Sequence, residues 1–363
     1  MACKRMNPFF DIDHLPNRTI THNDQEYLFF SGTAYLGLPQ HPAFQQLMLE
    51  SIRRYGTVFG SSRNGNLRLG IYEQAEARLA SVVSAGLGQA PSALTLSSGM
   101  MAGQVIMNWL RRQGVTFIYA PNAHPAIWHE PAVALPSVSF NDWAAQLPDQ
   151  VHATPPGPIA ILTNSLDAVR SEYYSFDWID HLPSDHPITL IVDDSHGLGV
   201  LNKGRGIWPQ LFDKPNVNLL VTASLAKAMG LPGGVILGSP DTIQAIRQTA
   251  FFGACSPMAP ASLDAYLRAD TLYSESYDRL CQNIALAEEL LLPTGLFHHA
   301  EGYPVFFTQQ DTLYPYLLDH QTLIYSFAYP TATDRANTRI VISAFHRPED
   351  IETLARQVQD FNQ

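Results

Sequence analysis

Between residues 93 and 239 short apolar runs recur: ALTLSS (93–98), TFIYA (116–120), IAILTN (159–164), TLIVDD (189–194), NLLVTAS (218–224) and GVILGS (234–239). Several are apolar throughout, without the alternation of a half-solvated strand, which is the pattern of strands buried on both faces. Such strands belong to a mostly parallel sheet covered by helices, so the pattern predicts an α/β large domain. Upstream, Phe44, Leu47, Met48 and Ile52 recur at helical spacing within 41–54, and Ala75, Leu79, Val82 and Val83 do so within 71–84. A glycine- and serine-rich connection, YGTVFGSSRNGNLRLG, joins them. Downstream the character changes to a helix-like stretch at 261–293, strand-like YPVFFT and TRIVISAF, and the amphipathic RPEDIETLARQVQDFN. These predict a smaller α+β C-terminal domain. The expected division is an N-terminal segment 1–40, a large domain 41–250 and a small domain 251–363.

Composition narrows the class of partner. At 363 residues and 46% hydrophobic, the chain has material for one large and one smaller core. A formal net charge of -11 argues against nucleic acid and anionic membrane as partners, because both need clustered cations. Small-molecule substrates are expected instead. Cys3, Cys255 and Cys281 are odd in number and scattered, with neither a disulfide framework nor metal-ligand spacing, so a reducing, cytoplasmic setting and no metal are expected. The start, MACKRMNPFFDIDHLPNR, meets Asp11, Asp13 and Pro16 before any apolar region and does not read as a signal peptide. Apolar runs such as ITLIV fall far short of the ~20 residues of a membrane helix.

Candidate chemistry lies at the strand ends, where open α/β sheets bind ligands. SSGMMAG (97–103) ends one strand and opens an apolar helix, placing Ser98 and the amides of Gly99 and Met100 where a phosphate is favoured, or forming only a tight turn. IVDDSHGLG (191–199) ends another with Asp193, Asp194 and His196. The two carboxylates and the imidazole lack further metal ligands nearby; Asp193 suits a protonated ring nitrogen, and Asp194 suits a structural cap. The third is VTASLAKAMGLPGG (221–234), whose Lys227 is one of only four lysines and the only charged residue between 215 and 240. Small apolar surroundings disfavour its charged form and free the amine to attack a carbonyl. A phosphate site, an Asp for a ring nitrogen and a Schiff-base lysine are together the protein side of a pyridoxal phosphate (PLP) enzyme.

The order and spacing of these stretches resemble those of the α-oxoamine synthases, a group of fold-type I PLP-dependent transferases. The similarity runs from about residue 33 to the C-terminus. AYLGLPQHP resembles the family's Asn-Tyr-Leu-Gly-Leu start, YGTVFGSSRN its Gly-Ser-Arg loop, LSSGMMAG its phosphate turn and NAHPAI its His-Ala-Ser. VDDSHGLGVLNKGRG resembles its Asp-Glu-Ala-His-Gly stretch, SLAKAMGLPGG its Lys-Ala-x-Gly segment and SAFHRPEDI its C-terminal His-x-x-x-Asp-Ile.

The resemblance implies a role for each matching position. Lys227 would form the Schiff base with PLP and then remove a proton from the bound amino acid. Asp193 would pair with the pyridinium nitrogen, His196 would hydrogen-bond the ring oxygen and His124 would stack on the ring. Ser98, Gly99, Met100 and Ser224 would hold the phosphate, and Ser256 would reach the phosphate of the partner subunit's cofactor, since such sites form in a homodimer. Arg339 would grip the amino acid's carboxylate with its bidentate fork. Without the resemblance, His124 reads as a loop histidine, Ser224 as a helix cap and Arg339 as a surface residue. The implied activity is condensation of a small amino acid with an acyl thioester and loss of carbon dioxide. Amino-group transfer, aldol cleavage and PLP binding without catalysis are the alternatives. They arise because Ala34, Tyr72, Gly103, Asn164 and Ala168 stand where the family has Asn, His, Asn, Glu and Ser, and the following Met-Asp-Gly-Asp is absent.

Overall fold

The computed structural model of the chain describes residues 10–328 and 336–363, so Cys3 lies outside the described residues. The chain forms two compact units. The larger comprises 41–167 and 173–273; the smaller contains the described residues of 1–40, 168–172 and 274–363. The division thus falls after Tyr273, where the sequence reading put it near 250, and residues up to Gln40 join the C-terminal unit instead of standing apart. Backbone pairing explains the second difference: Gln25–Phe30 adds in parallel to Thr322–Ala328, with Leu28 opposite Thr322 and Phe30 opposite Ile324. The first follows from Pro260–Leu267, which packs on Pro42–Tyr55 and Ile71–Val83 of the larger unit.

All six apolar runs are strands of one sheet in the larger unit. Its order is Ser92–Leu96, Gly234–Gly238, Asn218–Ser224, Ile188–Asp193, Ile159–Asn164 and Thr116–Tyr119. The last four are mutually parallel, whereas Gly234–Gly238 runs antiparallel to both its neighbours. Ser92–Leu96 therefore points the same way as the four parallel strands. Leu94, Leu162, Ile191, Leu220 and Ile236 are sealed beneath Val105, Ile106 and Leu110 of the helix Gly99–Arg111. Full burial of each such side chain contributes about 1.5–3 kcal/mol, which is why the polar residues in mid-run are confined to threonines and none is charged.

The two upstream helices form at Pro42–Tyr55 and Ile71–Val83. The expected apolar face of the first is only partly buried: Phe44 is buried and Ile52 is 37% exposed. Ile71–Val83 buries Glu76, whose carboxylate holds the Arg63 guanidinium and accepts the Thr95 N–H at 2.7 Å. Arg63, the arginine of the glycine-rich connection, also lies over the Tyr72 ring, 4.4 Å from its centroid. The stretch 261–293 is two helices, Pro260–Leu267 and Asp270–Leu291, and not one.

In the smaller unit the sheet order is Thr19–His22, Gln25–Phe30, Thr322–Ala328, Ala336–Val341, Val305–Thr308 and His298–His299. The terminal helix is Pro348–Phe361. His346 anchors its entry: Nδ1 accepts the Ser343 N–H at 3.0 Å, Nε2 donates to the Phe29 carbonyl at 2.8 Å, and the ring stacks on Phe30. Asp350 caps the helix through the Arg347 N–H at 2.9 Å and pairs with Arg18 at 2.7 Å. The C-terminal His-x-x-x-Asp motif is therefore a structural fastening. Among the described residues no helix is long and apolar enough to cross a membrane.

Candidate active site

Five strands of the larger sheet point one way, and their C-terminal ends deliver the selected residues to one edge. Ser92–Leu96 leads to Ser98, Gly99 and Met100; Thr116–Tyr119 to the turn at His124; Ile159–Asn164 ends on Asn164; Ile188–Asp193 ends on Asp193 and continues to His196; Asn218–Ser224 ends on Ser224 and turns into Lys227. Open α/β sheets use that edge for ligands.

Asp193 stands in register between Asn164 and Thr222 and is 6% exposed. Its Oδ1 accepts the Ser195 N–H at 2.9 Å, and its Oδ2 lies 3.5 Å from Nδ1 of His124. That second contact is not an ion pair. The same Nδ1 accepts the Ala126 N–H at 3.1 Å, so it carries no proton, and the neutral ring holds its hydrogen on Nε2. Burial and then the Lys227 charge push His124 away from protonation, against the pull of Asp193. These three side chains therefore share one electrostatic neighbourhood. His196 lies half-buried in the turn beyond Asp193.

Asp194, expected to cap a helix, instead holds a buried loop. It is 1% exposed, its Oδ2 accepts the Ile207 N–H at 2.8 Å, and burial pushes its carboxyl up to about 7. A Cβ on Gly206 would come within 2.1 Å of that oxygen, so glycine is required for the loop to close over it.

The helix Gly99–Arg111 starts on Ser98, whose Oγ accepts the Met101 N–H at 3.1 Å. The Gly99 and Met100 amides precede the first intrahelical bonds and are the donors an anion would meet. A Cβ on Gly99 would lie 2.7 Å from Cβ of Ser224, so the missing side chain lets this helix end sit against the strand that leads to Lys227. Ser224 ends its strand and is not a helix cap: its N–H donates to Ser195 Oγ at 2.8 Å and its Oγ accepts the Ala226 N–H at 3.3 Å. The half-buried Lys227 sits in a turn closed by Leu225 N–H to Gly233 O at 2.9 Å and Leu231 N–H to Leu225 O at 2.8 Å.

Ser256 is exposed, just beyond the short helix Ala250–Ala254. Arg339 belongs to the smaller unit and is no surface residue. It is 5% exposed, lies over the Tyr325 ring at 4.1 Å, and donates Nη1 to the Ala168 carbonyl at 2.7 Å, while its Nε has no hydrogen-bond partner. Three residues beyond Ala168, Ser171 has a left-handed φ of 59° and its Oγ accepts the Ala300 N–H at 3.0 Å.

The larger unit's groups match PLP in kind: an amine for the aldehyde, a buried carboxylate for the ring nitrogen, a neutral flat imidazole for the ring face and a helix N-terminus for the phosphate. Three participants were not picked out from sequence. Ser195 ties Asp193 to Ser224, Gln104 donates to the Ala126 and Trp128 carbonyls at 3.0 Å each, and Asn164 bonds the His124 turn. Ser195 and Gln104 gave no signal in sequence; Asn164 stood out only as a departure from the family.

The profile of the family described as "Aminotransferase class I and II" matches residues 140–358. A relative named putative 8-amino-7-oxononanoate synthase, from Acidiphilium cryptum, is 27% identical over 95% of this chain and 91% of its own length. An 8-amino-7-oxononanoate synthase from Cronobacter sakazakii is 28% identical over 95% and 92%. The fold matches serine palmitoyltransferase of S. paucimobilis, solved with a bound PLP–myriocin aldimine, at a TM-score of 0.80 and 17% identity, covering 97% of this chain and 92% of that one. The chain belongs to the aminotransferase class I and II family and is a PLP-dependent transferase of fold type I, related to the α-oxoamine synthases.

Proposed function

We propose that this protein condenses a small amino acid with an acyl thioester, releasing carbon dioxide and giving an α-amino ketone. The carrying observation is the convergence of Lys227, Asp193 and neutral His124 at the ends of parallel strands. Alignment with the two synthases named above over 95% of the chain supports the specific reaction, formation of 8-amino-7-oxononanoate for biotin from alanine and a pimeloyl thioester.

PLP supplies an aldehyde for the amine and a ring that accepts electrons from the carbon beside the substrate's nitrogen. Lys227 Nζ would hold the cofactor and afterwards take the proton from that carbon. Asp193 would keep a proton on the ring nitrogen, and His196 would hydrogen-bond the ring oxygen. His124, flat and uncharged, would cover one face of the ring and exclude water there. Ser98, Gly99, Met100 and Ser224 would hold the phosphate. Arg339 still has an unpartnered Nε to offer a carboxylate. We further read the protein as a cytoplasmic homodimer in which Ser256 reaches the partner's cofactor.

The test is incubation of purified enzyme with alanine, glycine or serine and a series of acyl-CoA donors, following free thiol and product mass. Amine-dependent thiol release, abolished by Lys227→Ala, is expected. Keto acid or aldehyde release without a donor would replace this reading with transamination or aldol cleavage, and bound PLP without any turnover would replace it with a non-catalytic role.

A further inference from the structure

The turn that carries His124 is held from outside itself, and the residue that holds its functional end is Asn164. The Asn164 carboxamide makes two bonds to that turn across about forty positions of sequence. Its Oδ1 accepts the His124 N–H at 3.1 Å, and its Nδ2 donates to the Asn122 carbonyl at 2.7 Å. Asn122 has a left-handed φ of 59°, a conformation that asparagine adopts more readily than most other residues. On its other side Asn164 is in register with Asp193, whose carbonyl accepts the Ser165 N–H at 2.9 Å. Asn164 is thus joined to the carboxylate strand through backbone pairing and to the imidazole turn through its neutral side chain.

We infer that Asn164 is a positioning residue: by holding the backbone of the turn it keeps the Ala126 N–H on Nδ1, and so the His124 ring in its neutral Nε2–H form at the edge of the sheet. A carboxamide is required because the turn presents one donor, the His124 N–H, and one acceptor, the Asn122 carbonyl. A carboxylate, as the family's Glu would supply, accepts at both ends and leaves the Asn122 carbonyl facing another acceptor. It would also place negative charge near a ring that already faces Asp193 from the strand on the far side of Asn164 and Lys227 from the turn after the next strand. Those two are the charged groups acting on His124, with opposite sign, and a second carboxylate would draw a proton onto the ring. The neutral Asn leaves the balance with burial, and the ring stays uncharged.

This inference rests on the reading that His124 works in the PLP site, but its readout does not depend on acyl transfer. Histidine-selective nitrogen-15 labelling of the holoenzyme, with His124→Gln to assign the signal, reports the tautomer and titration of His124 directly. Wild type is expected to show the Nε2–H pattern and a midpoint below an ordinary histidine. Asn164→Ala is expected to give averaged ring-nitrogen shifts. It should also lower kcat about tenfold to a hundredfold, the usual cost of removing a group that orients a working residue, with a smaller change in KM. Asn164→Asp keeps the acceptor and is expected to raise the His124 midpoint. An unchanged tautomer signature in Asn164→Ala overturns the inference. Should that variant not fold, an unmoved midpoint in Asn164→Asp overturns it instead. Failure of every variant and of wild type to release thiol, with these spectra as expected, would count against the proposed reaction and leave the positioning role standing.

Discussion

At the scale of single residues, the departures from the family pattern are structural answers as well as losses. Tyr72 is 2% exposed, with burial pushing its phenol up to about 12, and its hydroxyl donates to the Met258 carbonyl at 2.8 Å. Met258 in turn fills the space beside Gly233, where a Cβ would lie 2.5 Å from its sulfur. Tyr72 thereby fastens the segment just after Ser256 against the loop that follows Lys227. Tyr72→Phe keeps the ring and its contact with Arg63 but leaves the Met258 carbonyl without its buried donor, at a cost of about 1–3 kcal/mol. Urea unfolding is expected to show that loss together with weaker retention of PLP on dialysis; unchanged stability and retention would mean that the hydroxyl holds nothing.

At the scale of elements, the substitution at position 103 explains how a helix and a turn come together. A Cβ on Gly103 would lie 2.2 Å from the Ala126 carbonyl oxygen, and backbone cannot yield as a side-chain tip can. The helix Gly99–Arg111 therefore presses directly on Pro125–Ile127, and the family's Asn has no room in this chain. Gly103→Ala gains up to about 1 kcal/mol of helix propensity. The overpacking costs about 1–3 kcal/mol, so calorimetry is expected to show net destabilisation, with the His124 signal displaced. The strands of this sheet were legible in the sequence because burial on both faces leaves an unbroken apolar run. Their order was not, since nothing in GVILGS distinguishes an antiparallel strand between two others from a parallel one. Thr322–Ala328 and the N-terminal pair were missed because alternation there is weak and the pairing joins distant segments. The same limit applied to the site. Lys227 and Asp193 announce themselves by type and place, whereas the value of Asn164 depends on two bonds to residues some forty positions away.

At the scale of the whole molecule, two buried groups that do no chemistry set opposing responses to pH. His346 in the smaller unit is pushed down to about 4, chiefly by burial, with the Phe29 carbonyl and Asp350 pulling it up and Arg18 pushing it down. Its unfolded value is 6.5, so the stability it contributes is fully present above 6.5 and is lost as pH falls through about 4. That loss amounts to about 3 kcal/mol at most. Asp194 in the larger unit behaves in the opposite sense. Its carboxyl rises from 3.8 to about 7, so its contribution is present below 3.8 and is lost as pH rises through about 7. Between those limits the two slopes oppose each other, and the sum hides both. Separating them requires one variant in each unit. His346→Gln can still accept from Ser343 and donate to Phe29, and it is expected to flatten the acid-side fall in urea-unfolding stability. Asp194→Asn can still accept the Ile207 N–H, and it is expected to remove the decline between pH 5 and 7, a window inside the titration range of Asp194. If either variant follows the wild-type slope in its own window, that group is not held neutral by the fold and the assignment of its burial as the cause fails.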